Sequence, residues 1–450
     1  MNLRLLFGLG LAIAVVTRSL AAGPLRVITP HPEEVRIEFE EGFSRWHQQR
    51  FGEPVQIDWR DPGGSGEAQR FVENEFKAHP EGIGVDLFFG GGPEPFLAFS
   101  SRRWLDGSGI PLQSTDGIPQ RMAGADLYDP ERAWFGACLA TFGILQNRRV
   151  EAMAHLPRVD RWEDLARPEL QGWVGAGDPR YSGTMNNMYE AVLQAYGWER
   201  GWRMLTAIAG NTRQFNRTSS QTAKDCALGQ VAYAFCIDYY GFIQRDAAGS
   251  DGLEFVLPSD FTALSADGIA VLKGAPHREL ASRFVTYVLS PEGQALWYLP
   301  AGSDGGPKHH AIERLPVRPE VYDRYQGRSR IQVNPFKLNP SFRYDAKLAR
   351  NRRDAVRTLF GSLLVDLHPE LRSSWKAILA RGARPEELAE FGSVPLRESE
   401  ALEFAKKTGA DPRARQRMKM DWQEWARTKY RRLAAVPATA VPTSPSIPTP

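Results

Sequence analysis

Cysteine is scarce in this 450-residue chain, which has three, at Cys138, Cys226 and Cys236. None stands at CxxC or other metal-ligand spacing, which removes redox-motif and structural zinc readings. An odd count leaves at least one thiol unpaired even where disulfides form. Cys226 and Cys236 could pair only if the intervening turn brought their backbones close, so buried, inert thiols are the expectation. Histidine is also scarce, at eight residues, and offers few general bases. A GxSxG elbow and an HExxH pair are both missing, so an exported hydrolase is the weakest reading and no catalysis is expected. Beyond the N-terminal residues no apolar run is long enough to cross a bilayer. Charge of one sign is lacking as well: 56 basic against 53 acidic residues give a formal net of +3. That is too little to imply nucleic acid.

What is present begins with an export pattern. Met1 to Arg4 is basic, Leu5 to Val16 is apolar but short, and Ser19-Leu20-Ala21-Ala22 supplies small residues. This order reads as a secretory signal peptide over residues 1–21, cut after Ala21, and implies a periplasmic, soluble protein. No cysteine follows the apolar run, so a lipid anchor is not supported. At 42% hydrophobic and 24% charged residues, the remainder has the composition of an ordinary globular protein, long enough for two or three domains.

The first third alternates between the two periodicities. Leu25 to Thr29, Val55 to Trp59 and Val85 to Phe89 are β-prone; Val35 to Phe51 and Glu67 to His79 have helical spacing. Strand and helix in alternation predict a parallel α/β sheet whose strand-end loops gather on one edge, where ligands bind. A second α/β unit follows, with strands at Trp134–Leu145, Gly172–Gly175 and Val231–Ile237 and a long helical pattern at Met185–Tyr196. Residues 346–432 read as helical, and Arg413 to Arg432 as a solvated basic helix with a packed aromatic stripe. Residues 433–450, rich in Pro, Thr and Ser, are expected to be disordered.

Two polar loops sit where helices should start. Arg180, Ser182, Gly183 and Thr184 precede one helix, and Gly63 to Gly66, with Ser65 and Gly66 at its end, precedes another. Free N–H groups, the helix dipole and hydroxyl donors there suit an anionic group, although Ser182 or Thr184 could simply cap the helix. Asn216, Thr218 and Ser219 follow a further strand and could add polar donors.

Three segments in order resemble the periplasmic solute-binding proteins of ABC importers, in the ferric-iron, phosphonate and sugar-phosphate branch. They are Asp178–Thr184, Ser265–Pro276 and Glu279–Gln294, the last ending in Ser-Pro-Glu-Gly-Gln. The resemblance covers roughly residues 25–345. It implies a two-lobed type II binding-protein fold, with lobe 1 from 25–133 and 265–345 and lobe 2 from 134–264. A small anionic solute would be held in the cleft and passed by a monomer to permease subunits in the inner membrane, without a cofactor. In ferric-binding members a tyrosine pair and an early-loop histidine are ligands, which implies Tyr239, Tyr240 and His31 as the metal set if iron is the cargo. The acidic ligand of that set has no clear match; Glu33, Glu34 and Glu67 are the candidates. Asp238 could pair with a cationic or hydroxyl group of the solute, or only order the next turn, and Asp267 could contribute from the hinge. His309-His310 is expected to lie in solvent. The helical segment 346–432 exceeds the family pattern, and either pads the lobe or docks a partner; a sensor that reports to a membrane kinase is the alternative it keeps open.

Overall fold

The computed structural model describes residues 23–248, 252–331, 334–337, 342–408 and 411–436. The expected signal peptide and most of the terminal tail lie outside these residues. The chain begins with alternating strands and helices: β1 (Leu25–Ile28), α1 (Glu33–Phe51), β2 (Ile57–Arg60), α2 (Ser65–Ala78), β3 (Leu87–Phe89) and α3 (Pro93–Ser101). A small hairpin, β4 (Arg121–Met122) and β5 (Ala125–Asp126), leads into the long β6 (Phe135–Asn147) and α4 (Arg148–Ala154). The second unit has β7 (Val174–Gly177), α5 (Gly183–Tyr196), α6 (Trp198–Asn211), β8 (Thr212–Asn216), α7 (Ser219–Ala227), β9 (Tyr233–Ile237), α8 (Asp238–Ala248) and β10 (Leu253–Val256). The chain returns through β11 (Leu264–Val271), α9 (Arg278–Leu289), α10 (Pro291–Tyr298), β12 (Leu315–Pro316) and α11 (Pro319–Arg324). It ends in α12 (Ala346–Phe360), α13 (His368–Ala380), α14 (Pro385–Phe391), α15 (Glu398–Thr408) and α16 (Pro412–Ala435).

The strands join in the order β2-β1-β3-β11-β6-β9-β7-β8, with β10 and β12 also pairing with β6. The strand β6 is the spine of the molecule. Its first half pairs with β11 and β12, and its second half with β9 and β10. Phe135, Ala137, Cys138 and Leu139 lie in one apolar core; Ala140, Phe142 and Ile144 lie in the other. The lobes therefore exchange inside a continuous strand, which is buried along its whole length and mostly apolar because both of its faces are covered.

The Ser-Pro-Glu-Gly-Gln run has a physical reason for each of its key residues. Ser290 caps α10 by accepting from Gly293 N, Pro291 occupies the favoured first turn, and a side chain at 293 would run into the Tyr287 carbonyl. Gln294 is fully buried. It donates to the carbonyls of Ala137 and Val288 and accepts from Val317 N, so one amide ties β6, α9 and the segment after β12 together.

The C-terminal helices do not pad a surface. Ala355, Leu359, Phe360, Leu364, Leu371 and Trp375 share one continuous core with Trp162, Tyr189, Val192, Trp202 and Phe235 of lobe 2. Tyr189 stacks on Phe360 at 4.2 Å, and Trp375 Nε1 donates to Asn211 Oδ1 at 2.8 Å. Arg352 and Glu190, each about 1% exposed at the side chain, form an ion pair between α12 and α5. Along α16 the apolar stripe of Trp422, Ala426, Tyr430 and Leu433 is buried, while Met420 and Trp425 stay exposed. The three cysteines are free and buried, and burial pushes each thiol pKa up. Among the described residues, no helix is long and apolar enough to cross a membrane.

Candidate functional site

Lobe 1 builds its side of the cleft from strand ends. After β1 the chain turns at His31, whose N–H donates to Thr29 Oγ1. After β3 it turns through Gly90 and Gly91, with φ of +101° and +81°, values that side chains other than glycine rarely adopt. Space demands glycine here too: a β-carbon on Gly90 would lie 2.5 Å from His31 Nε2, and one on Gly91 would lie 3.1 Å from Ser65 Oγ. His31, Ser65 and the glycine turn are thereby brought together. Ser65 and Gly66 open α2 and are exposed, and neither Gly64 before α2 nor Gly92 before α3 supplies a side-chain cap. The amino ends of both helices thus keep their donors.

Lobe 2 differs. The Ser182 hydroxyl accepts from Met185 N at 3.2 Å and caps α5, with Gly183 and Thr184 forming its first turn. Arg180 is engaged. It makes a bidentate contact with buried Asp178 and a 2.9 Å ion pair with Asp366, just past α12. Gly361 packs so closely on Arg180 that a side chain there would clash with the guanidinium. The arginine expected to greet a solute instead holds the C-terminal helices, because two carboxylates already satisfy its fork.

Other sequence-derived positions are also occupied. Asn216 donates to Asp225 Oδ2 at 2.8 Å, Thr218 caps α7 through Gln221 N, and Ser219 is buried. Asp238 is fully buried and accepts from Thr141 N, Thr141 Oγ1 and Tyr239 N. Burial pushes its carboxyl up to about 6, against the pull of Arg314 and of these donors. It starts α8 rather than facing a ligand. Glu67 pairs with Arg70, and His309 sits at the surface 3.1 Å from Glu41.

Tyr239, Tyr240, Asp267 and His31 gather around a residue that the sequence reading missed. Arg314 is 3% exposed, lies 2.5 Å from Asp267 Oδ2, and stands over the rings of Tyr239 at 4.7 Å and Trp297 at 5.7 Å. Its Nε has no acceptor, and neither has His31 Nε2, among the described residues. Burial, then the charges of Arg314 and Arg36, hold His31 neutral. Burial and the neighbouring Tyr240 raise the Tyr239 phenol well above its ordinary value, with Arg314 opposing. A positive φ of 53° at Glu313 places this arginine, and no pattern in the sequence announces it.

Between the lobes lies a cavity of about 330 Å³. Gln69 of α2, Glu94, Leu97 and Ser101 of α3 and Arg102 just after it form one side; Asn186 and Asn187 of α5, Tyr344 ahead of α12, and Arg350 and Arg353 of α12 form the other. Asn187 Nδ2 donates to Glu94 Oε1 at 3.0 Å and joins the walls. Asn186 is 3% exposed and its Oδ1 is unpartnered. The volume suits a small molecule, and although Arg102 is paired with Glu73, Arg350 and Arg353 still outnumber Glu94 and favour an anion. Two adjacent asparagines in the first turns of a helix, where their propensity is poor, were the legible sign of this wall.

Comparison with known proteins agrees with this architecture. Residues 108–302 match the model of a family described as bacterial extracellular solute-binding proteins. The phosphoglycerate transport regulatory protein PgtC of Salmonella typhimurium is 29% identical over 295 residues, covering 63% of this chain and 68% of that protein. Among solved structures, the periplasmic binding protein AfuA of Actinobacillus pleuropneumoniae, with fructose-6-phosphate bound, superposes with a TM-score of 0.60 at 19% identity. The match covers 99% of AfuA but 76% of this chain, so part of this chain has no counterpart there. The apo ferric ion-binding protein A of Pasteurella haemolytica gives 0.58 at 15% identity, covering 77% of this chain and 98% of that one. The resemblance to solute-binding proteins of ABC importers is borne out, and the fold is that of two-lobed type II binding proteins.

Proposed function

We propose that this solute-binding protein works in the periplasm, where it captures a small phosphorylated organic anion between its lobes and delivers it to an ABC permease without chemically altering it. The observation that carries the reading is the cationic interlobe cavity, walled by α2 and α3 on one side and by α5 and α12 on the other. A solute touching both walls would favour the closed arrangement through contacts that the open one lacks. The similarity to a phosphoglycerate transport regulatory protein and to a fructose-6-phosphate-bound binding protein supports phosphate as part of the solute.

Ferric iron is the weaker cargo. His31, Tyr239 and Tyr240 stand near one another, as an iron site would need, but the guanidinium of Arg314 lies among them. A fixed positive charge opposes a trivalent cation, and Asp267, the carboxylate beside it, is already paired with that arginine. The word "regulatory" in the name of the Salmonella relative favours, as a second reading, a receptor that reports solute to a membrane partner; the same cleft would serve it.

A thermal-shift panel on ligand-stripped protein decides between these cargoes. Phosphoglycerate or a sugar phosphate at a hundred times its dissociation constant should add about 2.7 kcal/mol of stability. A shift with ferric citrate alone, together with a phenolate-to-iron band lost in Tyr239→Phe, would overturn the organic-anion reading.

A further inference from the structure

One of the C-terminal helices, α12, lines the interlobe cavity. We infer that Arg353 of α12 is the main cationic contact for the solute, and that Arg350, one turn earlier, selects solutes with a second anionic group, the class of phosphorylated hydroxy acids. The inference rests on the interlobe anion site proposed above.

Three observations carry it. Ala346, Ala349, Arg350 and Arg353 follow the spacing that places residues on one helix face, and all four line the cavity. The two alanines are short, so the guanidinium groups are the reach of that face. The rotation of α12 is fixed from outside the cavity. Asp345 caps the helix by accepting from Lys347 N and Leu348 N, and exchanges hydrogen bonds with Gln194. Arg352 is locked to Glu190 in the core beneath, which leaves its neighbour Arg353 to turn toward the cleft.

Second, Arg353 is unspent. Its Nε is buried without an acceptor among the described residues, whereas Arg180, Arg314 and Arg352 are all paired with carboxylates. Its Nη2 would lie 3.6 Å from a β-carbon on Gly183, so the guanidinium stands at the amino end of α5, where the helix dipole also favours an anion. Third, the unpartnered Oδ1 of buried Asn186 is an acceptor on the same wall, suited to a hydroxyl donor between two anionic ends. Arg350 is exposed at the rim, within the same cavity as Arg102.

The test is isothermal titration of the full mature chain with 3-phosphoglycerate, glycerol 3-phosphate and glycerate. The wild type should prefer 3-phosphoglycerate. Arg353→Gln should weaken both phosphorylated ligands by about tenfold or more, and Arg353→Lys should recover part of the loss. Arg350→Gln should erase the preference for 3-phosphoglycerate over glycerol 3-phosphate while leaving the latter within about threefold of wild type. Arg353 has no ion pair to lose among the described residues, so the melting temperature of the unliganded variants should match the wild type and separate binding from folding. Wild-type affinity for 3-phosphoglycerate retained in Arg353→Gln would overturn this inference alone. A wild type that binds none of the phosphorylated ligands would remove the anion reading and this inference together.

Discussion

The two walls of the cleft solve the same problem with opposite means. On lobe 1, α2 and α3 start behind glycines that provide no side-chain cap, so their backbone donors stay open, but the cation on that wall, Arg102, is already hydrogen-bonded to Glu73. On lobe 2, α5 is capped by its own Ser182 and the nearby Arg180 is consumed by Asp178 and Asp366. The positive charge on that side comes from α12, beyond the segment that resembles the family. The difference teaches that donors and charge have separate origins here. The strand-end glycine turns of the α/β fold leave oriented N–H groups open beside the cavity, and the added helices bring guanidinium groups into its lining.

The sharpest way to break that division is to undock α12. Arg352→Met leaves Glu190 charged and unpaired in the core, which should cost about 3–5 kcal/mol in denaturant unfolding. The same variant should lose solute affinity although residue 352 does not line the cavity. If affinity survives while stability falls by that amount, the lobe 2 wall does not depend on the position of α12.

A second handle on the docked helices is pH. Lys429 of α16 donates to the carbonyls of Phe391 and Ser393, and burial pulls its amine down to about 7. The native state then binds fewer protons than the unfolded chain between about pH 7 and pH 10, so this group makes stability rise with pH across that window, by on the order of a few kcal/mol. Lys429→Met should flatten that rise in urea melts taken at successive pH values. An unchanged slope would show that the amine stays charged in the folded protein.

Arg180 sharpens the comparison with a smaller effect. Because it holds Asp178 and Asp366 rather than solute, Arg180→Gln should lower stability by about 1–3 kcal/mol and leave affinity within about threefold of wild type. A selective loss of affinity with stability intact would return this arginine to the binding site.

The sequence was most informative where the chain's local rules and the fold agree. The alternation from β1 to β3, the cap at Ser182 and the Ser-Pro-Glu-Gly-Gln run could be read directly, because each is set by neighbours within a few residues. Several site roles were not legible for the converse reason. Arg180, Asn216 and Asp238 have the right chemistry in the right loops, but their partners Asp366, Asp225 and Thr141 are remote or on the next helix, and pairing decides whether a polar group is free. Arg314 and Arg353 were missed because one follows an irregular turn and the other sits in a helix that periodicity marks only as amphipathic. The helix α3 was also missed: its Phe-Leu-Ala-Phe run after Pro93 is too short to show a period, and β2 and β3 each start two residues later than expected, where loop residues extend the apolar pattern.

The central claim, that one solute is held by both walls and by the added helix at once, is tested most directly by amide hydrogen exchange with and without 3-phosphoglycerate. Protection should rise together at the first turns of α2, α3 and α5 and along Ala349 to Asp354 of α12. Protection limited to the α/β lobes, with α12 unchanged, would contradict the account.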